Sequence, residues 1–121
     1  MNANRFTQKS LEAIQSAQQL AETNRNTQLE QIHVLKALTD EADDLNTQLL
    51  GAMQVDVRAL SAAIDRALDA LPTYAGDGQQ TYASPTVSRA ISEAEAQAKR
   101  MGDAYISVEH LMLGLLEKPD D

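Results

Sequence analysis

One pair of carboxylates in this chain is spaced so that the two groups could act together. Asp103 and Glu109 lie six residues apart, Asp103 within a short stretch that is expected to form a turn, residues 102–107, and Glu109 just after it. A turn of that length would let both carboxylates face one cleft, where they could attract basic side chains by charge. Each also has a structural role open to it, because Asp103 can hydrogen-bond its own turn and Glu109 can favour a helix N-terminus. The pair is therefore a candidate surface for binding cationic groups.

The two histidines, His33 and His110, raise the possibility of a metal site. No His-x-x-x-His pair and no carboxylate-rich ligand spacing surrounds either of them. The chain has no cysteine, which excludes thiolate ligands, thiolate nucleophiles and disulfides. It also lacks the G-x-S-x-G nucleophile motif and the G-x-x-x-x-G-K-[ST] phosphate loop. We therefore predict no metal, no cofactor and no catalytic site in this chain.

Charge and composition narrow the class of protein and its partners. The formal net charge is -8, which disfavours nucleic acids and anionic membrane surfaces as partners. With 121 residues, 43% of them hydrophobic and few aromatic, the chain can build one domain with an aliphatic core. No apolar run reaches the roughly 20 residues of a membrane span, and none resembles a signal peptide. We expect a soluble cytoplasmic domain, rich in alanine and therefore helical.

Apolar residues recur at steps of three and four and predict six helices. Two of these helices flank the turn at residues 102–107. Gly102 ends the first of them because glycine readily adopts positive φ, and Ser107 is expected to cap the second. Thr7, Ser84 and Asp56 are expected to cap other helices. The six predicted helices begin near residue 8 and cover residues 31–38, 45–53, 57–71, 85–101 and 108–117.

Sliding the sequence along itself by 77 positions reveals an internal repeat. His33 then falls on His110, and the expected cap Thr7 falls on the expected cap Ser84. Further matches on the inward-facing stripe are Ala13 with Ala90, Ile14 with Ile91, Ala17 with Ala94, and Ala21 with Ala98. A shared registry across two helices and their turn favours duplication over chance similarity. The sequence therefore predicts an all-α fold made of two pseudo-repeats of a four-helix unit.

The second copy of this unit is shorter than the first. We predict a first repeat at residues 1–72, a linker at residues 73–83, and a partial second repeat at residues 84–121 that lacks its last two helices. We therefore expect the chain to be a fragment of a longer protein. Without the missing helices, the last predicted helix should expose an apolar patch. Its members would be Leu111, Met112, Leu115 and Leu116.

Two segments carry a resemblance to a known family. They are Asn4-Arg5-Phe6-Thr7-Gln8-Lys9 and Gly102-Asp103-x-Tyr105-Ile106-Ser107-x-Glu109-His110-Leu111. Together they resemble the double-repeat N-terminal domain of Clp/Hsp-type AAA+ unfoldases. The pair Leu71-Pro72 and the segment Ala98-Lys99-Arg100-Met101-Gly102-Asp103 look closest to the ClpB disaggregases of bacteria. The resemblance implies an all-α domain of eight helices in full, joined by a flexible linker to a hexameric ATPase ring.

The resemblance also implies a function. Such domains bind unfolded or aggregated polypeptides and help to feed them into the ring. ATP is bound by AAA+ modules of the parent chain, and a DnaK-type chaperone system cooperates through other domains of the parent. The alternative within the same family is a ClpC/ClpA-type domain that docks adaptors or degrons for a protease.

The resemblance further implies candidate residues for substrate binding. Thr7, Asp103 and Glu109 occupy positions that are implicated in chaperone activity. An apolar groove between the repeats would include Ile91 and the position of His110, although the polar His110 weakens its apolar character. The phosphoarginine sites of ClpC-type domains have a glutamate before the histidine in both repeats. Ile32 replaces that glutamate in the first repeat, which disfavours the binding of phosphoarginine at two sites. Tyr105 is expected to pack within its turn.

Overall fold

The computed structural model of the protein describes residues 5–39, 52, 54, 56–75 and 81–117. Its helices are α1 (Gln8–Thr23), α2 (Gln31–Thr39), α3 (Val57–Asp69), α4 (Pro85–Arg100) and α5 (Val108–Glu117), and its strands are β1 (Gln28–Leu29) and β2 (Tyr82–Ala83). The strands have two residues each, so the prediction of an all-α fold is confirmed. The helix predicted at residues 45–53 falls outside the described residues, apart from residue 52.

The two long helices α1 and α4 begin in the same way. The Thr7 hydroxyl accepts a hydrogen bond from the backbone N–H of Ser10 at 3.2 Å. The Ser84 hydroxyl accepts from the N–H of Val87 at 3.3 Å, and Pro85 occupies the first turn, where its missing N–H does no harm. Both predicted caps are confirmed.

A second pseudo-symmetric feature links the repeats by backbone hydrogen bonds. The N–H of Thr7 donates to the carbonyl of Ile106, and the N–H of Ser84 donates to the carbonyl of Leu29, each at 2.9 Å. Strand β1 pairs with β2 in parallel, with Leu29 opposite Ala83, and an isolated parallel bridge joins Phe6 to Ile106. All of these pairs are related by the offset of 77 residues, which confirms the predicted duplication. The segment before each long helix therefore lies against the interhelical turn of the other repeat.

Helix α3 covers the first repeat. Its Ile64 and Leu68 side chains are buried, at 2% and 8% exposure. Asp56 caps the helix as predicted, because its carboxylate accepts from two backbone N–H groups in the first turn. The Lys36 ammonium of α2 lies 3.3 Å from the Asp65 carboxylate of α3. After α3 the chain returns to the first interhelical turn, and β2 lies within the predicted linker.

The core contains small residues where helices approach closely. Ala17 of α1 and Ala94 of α4 are fully buried. At Gly114 of α5, an added Cβ would lie 2.3 Å from the carbonyl oxygen of Ala90, so glycine is required there by the proximity of α4. The offset of 77 pairs Gly114 with Ala37 of α2. Helices α4 and α5 therefore lie closer together than they could if residue 114 had a side chain.

The expected apolar patch on the last helix is found only in part. Leu111 and Met112 are each 2% exposed, because α5 packs against α1 and α2 as well as α4. Leu115 is partly buried against the same core. Only Leu116 is largely exposed, at 58%. The prediction was wrong for Leu111 and Met112, since the first repeat supplies the cover that the sequence pattern assigned to later helices.

Candidate functional site

The interhelical turn of the second repeat, residues 102–107, forms one side of an open depression of about 260 Å³. Its lining comprises Asp103, Ala104, Tyr105, Ser107, Glu109 and His110. The structure thus brings together the two predicted carboxylates, Asp103 from the turn and Glu109 from the first turn of α5. The Asp103 side chain is 47% exposed, and Glu109 is partly exposed. A ligand with positive charge could reach both.

His110 lies beneath this depression and holds Asp103 in place. Its ring is almost fully buried, and Nδ1 accepts a hydrogen bond from the backbone N–H of Ser107 at 2.8 Å. The Ser107 hydroxyl lies 2.9 Å from the same nitrogen. Since Nδ1 accepts, the proton of the neutral ring is on Nε2, which donates to Asp103 Oδ2 at 2.9 Å. His110 therefore anchors Asp103 from below.

This arrangement explains how α5 begins. In a capping box, the third residue of a helix accepts from the backbone N–H of the capping residue. His110 takes this role for Ser107 with a ring nitrogen in place of a carboxylate. The predicted cap Ser107 is thus at the expected position, but the bond in the structure runs from its backbone to the histidine.

The first repeat contains the same construction. His33 Nδ1 accepts from the backbone N–H of Glu30 at 2.9 Å, and Nε2 lies 2.8 Å from Asn26 Oδ1. The offset of 77 places Asn26 on Asp103, so both histidine pairs are equivalent. Burial lowers the pKa of His33 against the raising effects of its backbone contact with Glu30 and of the Glu30 carboxylate. The sequence pattern predicted that His33 and His110 are equivalent but not that Asn26 and Asp103 are their partners, although the same offset places Asn26 on Asp103.

The two turns differ in what covers them. In the first repeat, residues 72–74 lie over the turn, and we call them the covering segment. The N–H of Thr27 and the Asn26 side-chain amide both donate to the carbonyl of Pro72 at 3.3 Å. The N–H of Tyr74 donates to the carbonyl of Arg25 at 2.9 Å. Asn26 is consequently 2% exposed, and no described residue covers Asp103 in the same way.

The other predicted site residues are placed as follows. Thr7 is bound to the second turn through its backbone, but its hydroxyl is engaged with Ser10, at 3.0 Å from Ser10 Oγ. Ile91 is 7% exposed within the core, so a ligand could reach it only if the core opened. Tyr105 is 57% exposed at the rim of the depression, so the prediction that it packs within its turn was wrong.

The described residues contain neither a candidate metal site nor a helix that could span a membrane. In the ranges given above, no group of three or more histidine, aspartate or glutamate side chains could hold a metal ion. No described helix combines the length and apolar character that a membrane span requires. The absence of a cofactor stays a prediction.

The described architecture is an all-α fold of two pseudo-repeats, in which the segment before each long helix is hydrogen-bonded to the turn of the other repeat. This is the architecture of a double-repeat helical domain. Residues 5–121 match the family described as the Clp repeat (R) N-terminal domain, and the chain belongs to that family. The resemblance seen in the sequence is therefore confirmed.

The curated relatives are chaperones. The chain is 32% identical over 124 residues to the chaperone protein ClpB of Bacillus cereus, covering all of this chain and 14% of that protein. It is 35% identical over 116 residues to ClpB of Rhodopseudomonas palustris, covering 95% of this chain and 13% of that protein. The chain thus spans about one seventh of the length of these relatives. It is an N-terminal domain of the AAA+ chaperone type, similar to that of ClpB.

Solved structures share the fold. The N-terminal domain of Hsp104 from Candida albicans has a TM-score of 0.86 at 22% identity, covering 93% of this chain and 74% of that one. A complex of a ClpV N-domain with a VipB peptide has a TM-score of 0.77 at 16% identity, covering 97% and 71%. At these identities the likeness establishes the architecture.

Proposed function

We propose that this domain captures unfolded or aggregated polypeptides for an ATP-dependent disaggregase of the ClpB type. The depression beside Asp103 and Glu109 would receive basic segments of the captured chain. In the proposed parent protein, a cytoplasmic hexameric AAA+ ring would bind ATP and thread the polypeptide, and a DnaK-type chaperone would cooperate through other domains. In this proposal the domain itself performs no catalysis.

One observation carries this proposal: the fold does not require the negative charge of the second turn. Asn26 makes the same hydrogen bond to a buried histidine as Asp103 does, without any charge. At the position of Glu109 the first repeat has the apolar Ile32. Two neighbouring carboxylates on a chain of net charge -8 repel each other and the rest of the surface. A cationic ligand accounts for their presence.

The expected mode of binding is weak and repeated. An extended, disordered ligand loses conformational entropy on capture, and the open depression buries little of it. Several copies of the domain on one ring would recover affinity through multivalency. The ClpV N-domain complexed with a VipB peptide supports a polypeptide as the ligand of this fold.

The proposal is tested by neutralising both carboxylates without changing their shape. Asp103→Asn with Glu109→Gln should weaken binding of unfolded casein roughly five- to tenfold, as expected for the loss of charge-assisted contacts. Glu12→Gln, an exposed change on α1, is the matched control and should leave affinity unchanged. Fluorescence anisotropy of labelled casein measures the affinity of the unmodified domain, the double variant and the control. Thermal melting checks that both variants remain folded.

Unchanged casein affinity in the double variant would contradict the proposed site. Backbone NMR shifts distinguish the alternative function. Shifts caused by a folded candidate adaptor, with none caused by casein, would favour an adaptor- or degron-docking domain of the ClpC/ClpA type.

A further inference from the structure

We infer that the exposed backbone of residues 102–104 binds an extended polypeptide segment by strand addition, with a lysine or arginine of that segment against Asp103. This inference rests on the proposed function, because it specifies how the captured polypeptide is held. It adds a binding mode, a backbone edge and a requirement on the ligand's sequence.

The first repeat contains a template for this interaction. Its backbone edge, residues 25–27, pairs with the covering segment in an antiparallel bridge between Asn26 and Thr73. The N–H of Thr27 donates to the Pro72 carbonyl, and the Arg25 carbonyl accepts from the N–H of Tyr74. An extended chain segment therefore binds this turn through its backbone.

The second turn presents the same edge. Two residues after the end of the preceding helix, both repeats have a left-handed backbone, with φ of 54° at Arg25 and 73° at Gly102. The next N–H in each repeat, that of Asn26 and that of Asp103, donates back to its helix at 2.9 Å. The carbonyl of Gly102 and the N–H of Ala104 thus take the positions of the paired groups in the first turn.

These two backbone groups are available for pairing. Among the described residues, neither the Gly102 carbonyl nor the Ala104 N–H makes a backbone hydrogen bond, and both residues are exposed. An edge with a free donor and a free acceptor two residues apart is what strand addition uses. Because the backbone supplies these bonds, many different sequences could bind, as a chaperone of unfolded chains requires.

The side chain of Asp103, which lies between the Gly102 carbonyl and the Ala104 N–H in the sequence, determines which ligand can bind. His33 holds the oxygen of the Asn26 amide, which leaves its nitrogen to donate to the Pro72 carbonyl. His110 holds one oxygen of Asp103, which leaves the other oxygen as an acceptor. The ligand carbonyl that pairs with the Ala104 N–H would lie beside this negatively charged oxygen. An ammonium or guanidinium group of the ligand bound to Asp103 would offset that repulsion.

The surroundings favour the same kind of ligand. Glu109 lines the depression beside Asp103 and adds a second negative charge. Tyr105 at the rim is 57% exposed and offers an aromatic face to a lysine or arginine side chain. Charge complementarity thus selects a basic extended segment as the occupant.

Peptides with single backbone N-methyl groups test the strand addition. The probe is a fluorescent, unstructured 12-residue peptide with one central arginine, titrated into the 121-residue chain. In an antiparallel pair, alternate N–H groups face the neighbouring strand. Scanning the methyl group along the peptide should therefore weaken binding roughly three- to tenfold at one position and leave its neighbours unaffected. The NMR amide signal of Ala104 should shift on binding of the unmodified peptide.

Equal affinity of every methylated peptide, with no shift at Ala104, would overturn strand addition. If the unmodified peptide still bound in that case, the proposed function would survive without it. No binding by any peptide or by casein would overturn both.

Protein variants test the same inference from the other side. Ala104→Pro removes the donor N–H and should weaken the arginine peptide about as much as the critical methyl group, whereas Ala104→Ser keeps the donor and should bind normally. Asp103→Asn should weaken binding of the arginine peptide. Binding of a peptide with alanine in place of the arginine should be unchanged or tighter. Equal losses for both peptides would contradict the role given to Asp103. This comparison stands even if Ala104→Pro does not fold.

Discussion

The two interhelical turns share one hydrogen-bond plan and end in opposite surroundings. Each places a buried histidine at the third position of a helix, with Nδ1 accepting from the backbone and Nε2 directed at a turn residue three positions after the end of the preceding helix. In the first turn that residue is Asn26, buried under the covering segment. In the second it is Asp103, exposed beside Glu109. The first turn therefore stabilises the fold, and the second turn leaves its polar groups exposed.

Charge explains why only the first turn can be covered so closely by a segment that brings no positive charge. A neutral amide can be buried when its oxygen and nitrogen both find partners, as those of Asn26 do with His33 and Pro72. A carboxylate at the same place would face the Pro72 carbonyl with no proton to share. Burial of such a charge is expensive unless it is paired. The difference of one atom, nitrogen or oxygen, thus separates a structural turn from an exposed one.

Replacing the side-chain nitrogen of Asn26 by oxygen should produce the largest change in stability. Asn26→Asp loses the hydrogen bond to the Pro72 carbonyl and buries a carboxylate, so we expect a loss of about 3 kcal/mol in the free energy of unfolding at pH 7. The matched change Asp103→Asn keeps the bond to His110 and should alter stability by less than about 0.5 kcal/mol. Urea denaturation measures both. Equal effects would show that the two turns are not different in the way described.

The close approach of helices in the second repeat gives the next prediction. Gly114→Ala should destabilise the protein by about 2 kcal/mol, because the new Cβ would collide with the backbone carbonyl of Ala90. The reciprocal change in the first repeat, Ala37→Gly, should lose only about 1 kcal/mol through backbone entropy. Chemical denaturation of the pair checks the ranking. A smaller loss for Gly114→Ala than for Ala37→Gly would mean that α4 and α5 can separate without penalty.

The buried histidine of the first repeat should make stability depend on pH. Burial lowers the folded-state pKa of His33 below the ordinary histidine value of 6.5, so its contribution to stability is present above pH 6.5 and is lost as the pH falls below that value. The slope attributable to one such group is at most about 1.4 kcal/mol per pH unit. Unfolding free energies between pH 7.5 and pH 5, measured for the protein and for His33→Gln, should show a shallower slope in the variant. Parallel curves would contradict this origin.

Local patterns in the sequence were sufficient to predict the features that depend on neighbours in the chain. The caps at Thr7 and Ser84 were found correctly because a hydroxyl before an apolar stripe acts within one helical turn. The left-handed backbone at Gly102 was found for a similar reason. The offset of 77 residues extended these local features to two related hairpins, and so predicted the class of fold.

Features that depend on contacts across the fold were missed. The covering segment pairs with a turn 46 residues earlier in the chain, and nothing in the sequence around Pro72 indicates that partner. The burial of Leu111 and Met112 depends on packing against helices of the other repeat, which a periodic pattern cannot assign. The exposure of Tyr105 and the anchoring of Asp103 by His110 likewise depend on how the second turn is closed.

The exchanged backbone bonds between repeats have one more consequence. Thr7 of the first repeat bonds to the turn of the second, and Ser84 of the second bonds to the turn of the first. A single repeat could make these bonds only with another copy of itself, by a two-fold axis relating identical surfaces. The domain therefore has the geometry of a closed, symmetric dimer whose subunits have been joined in one polypeptide. Two halves joined in one chain need not be identical, so one turn can carry charge while the other remains neutral.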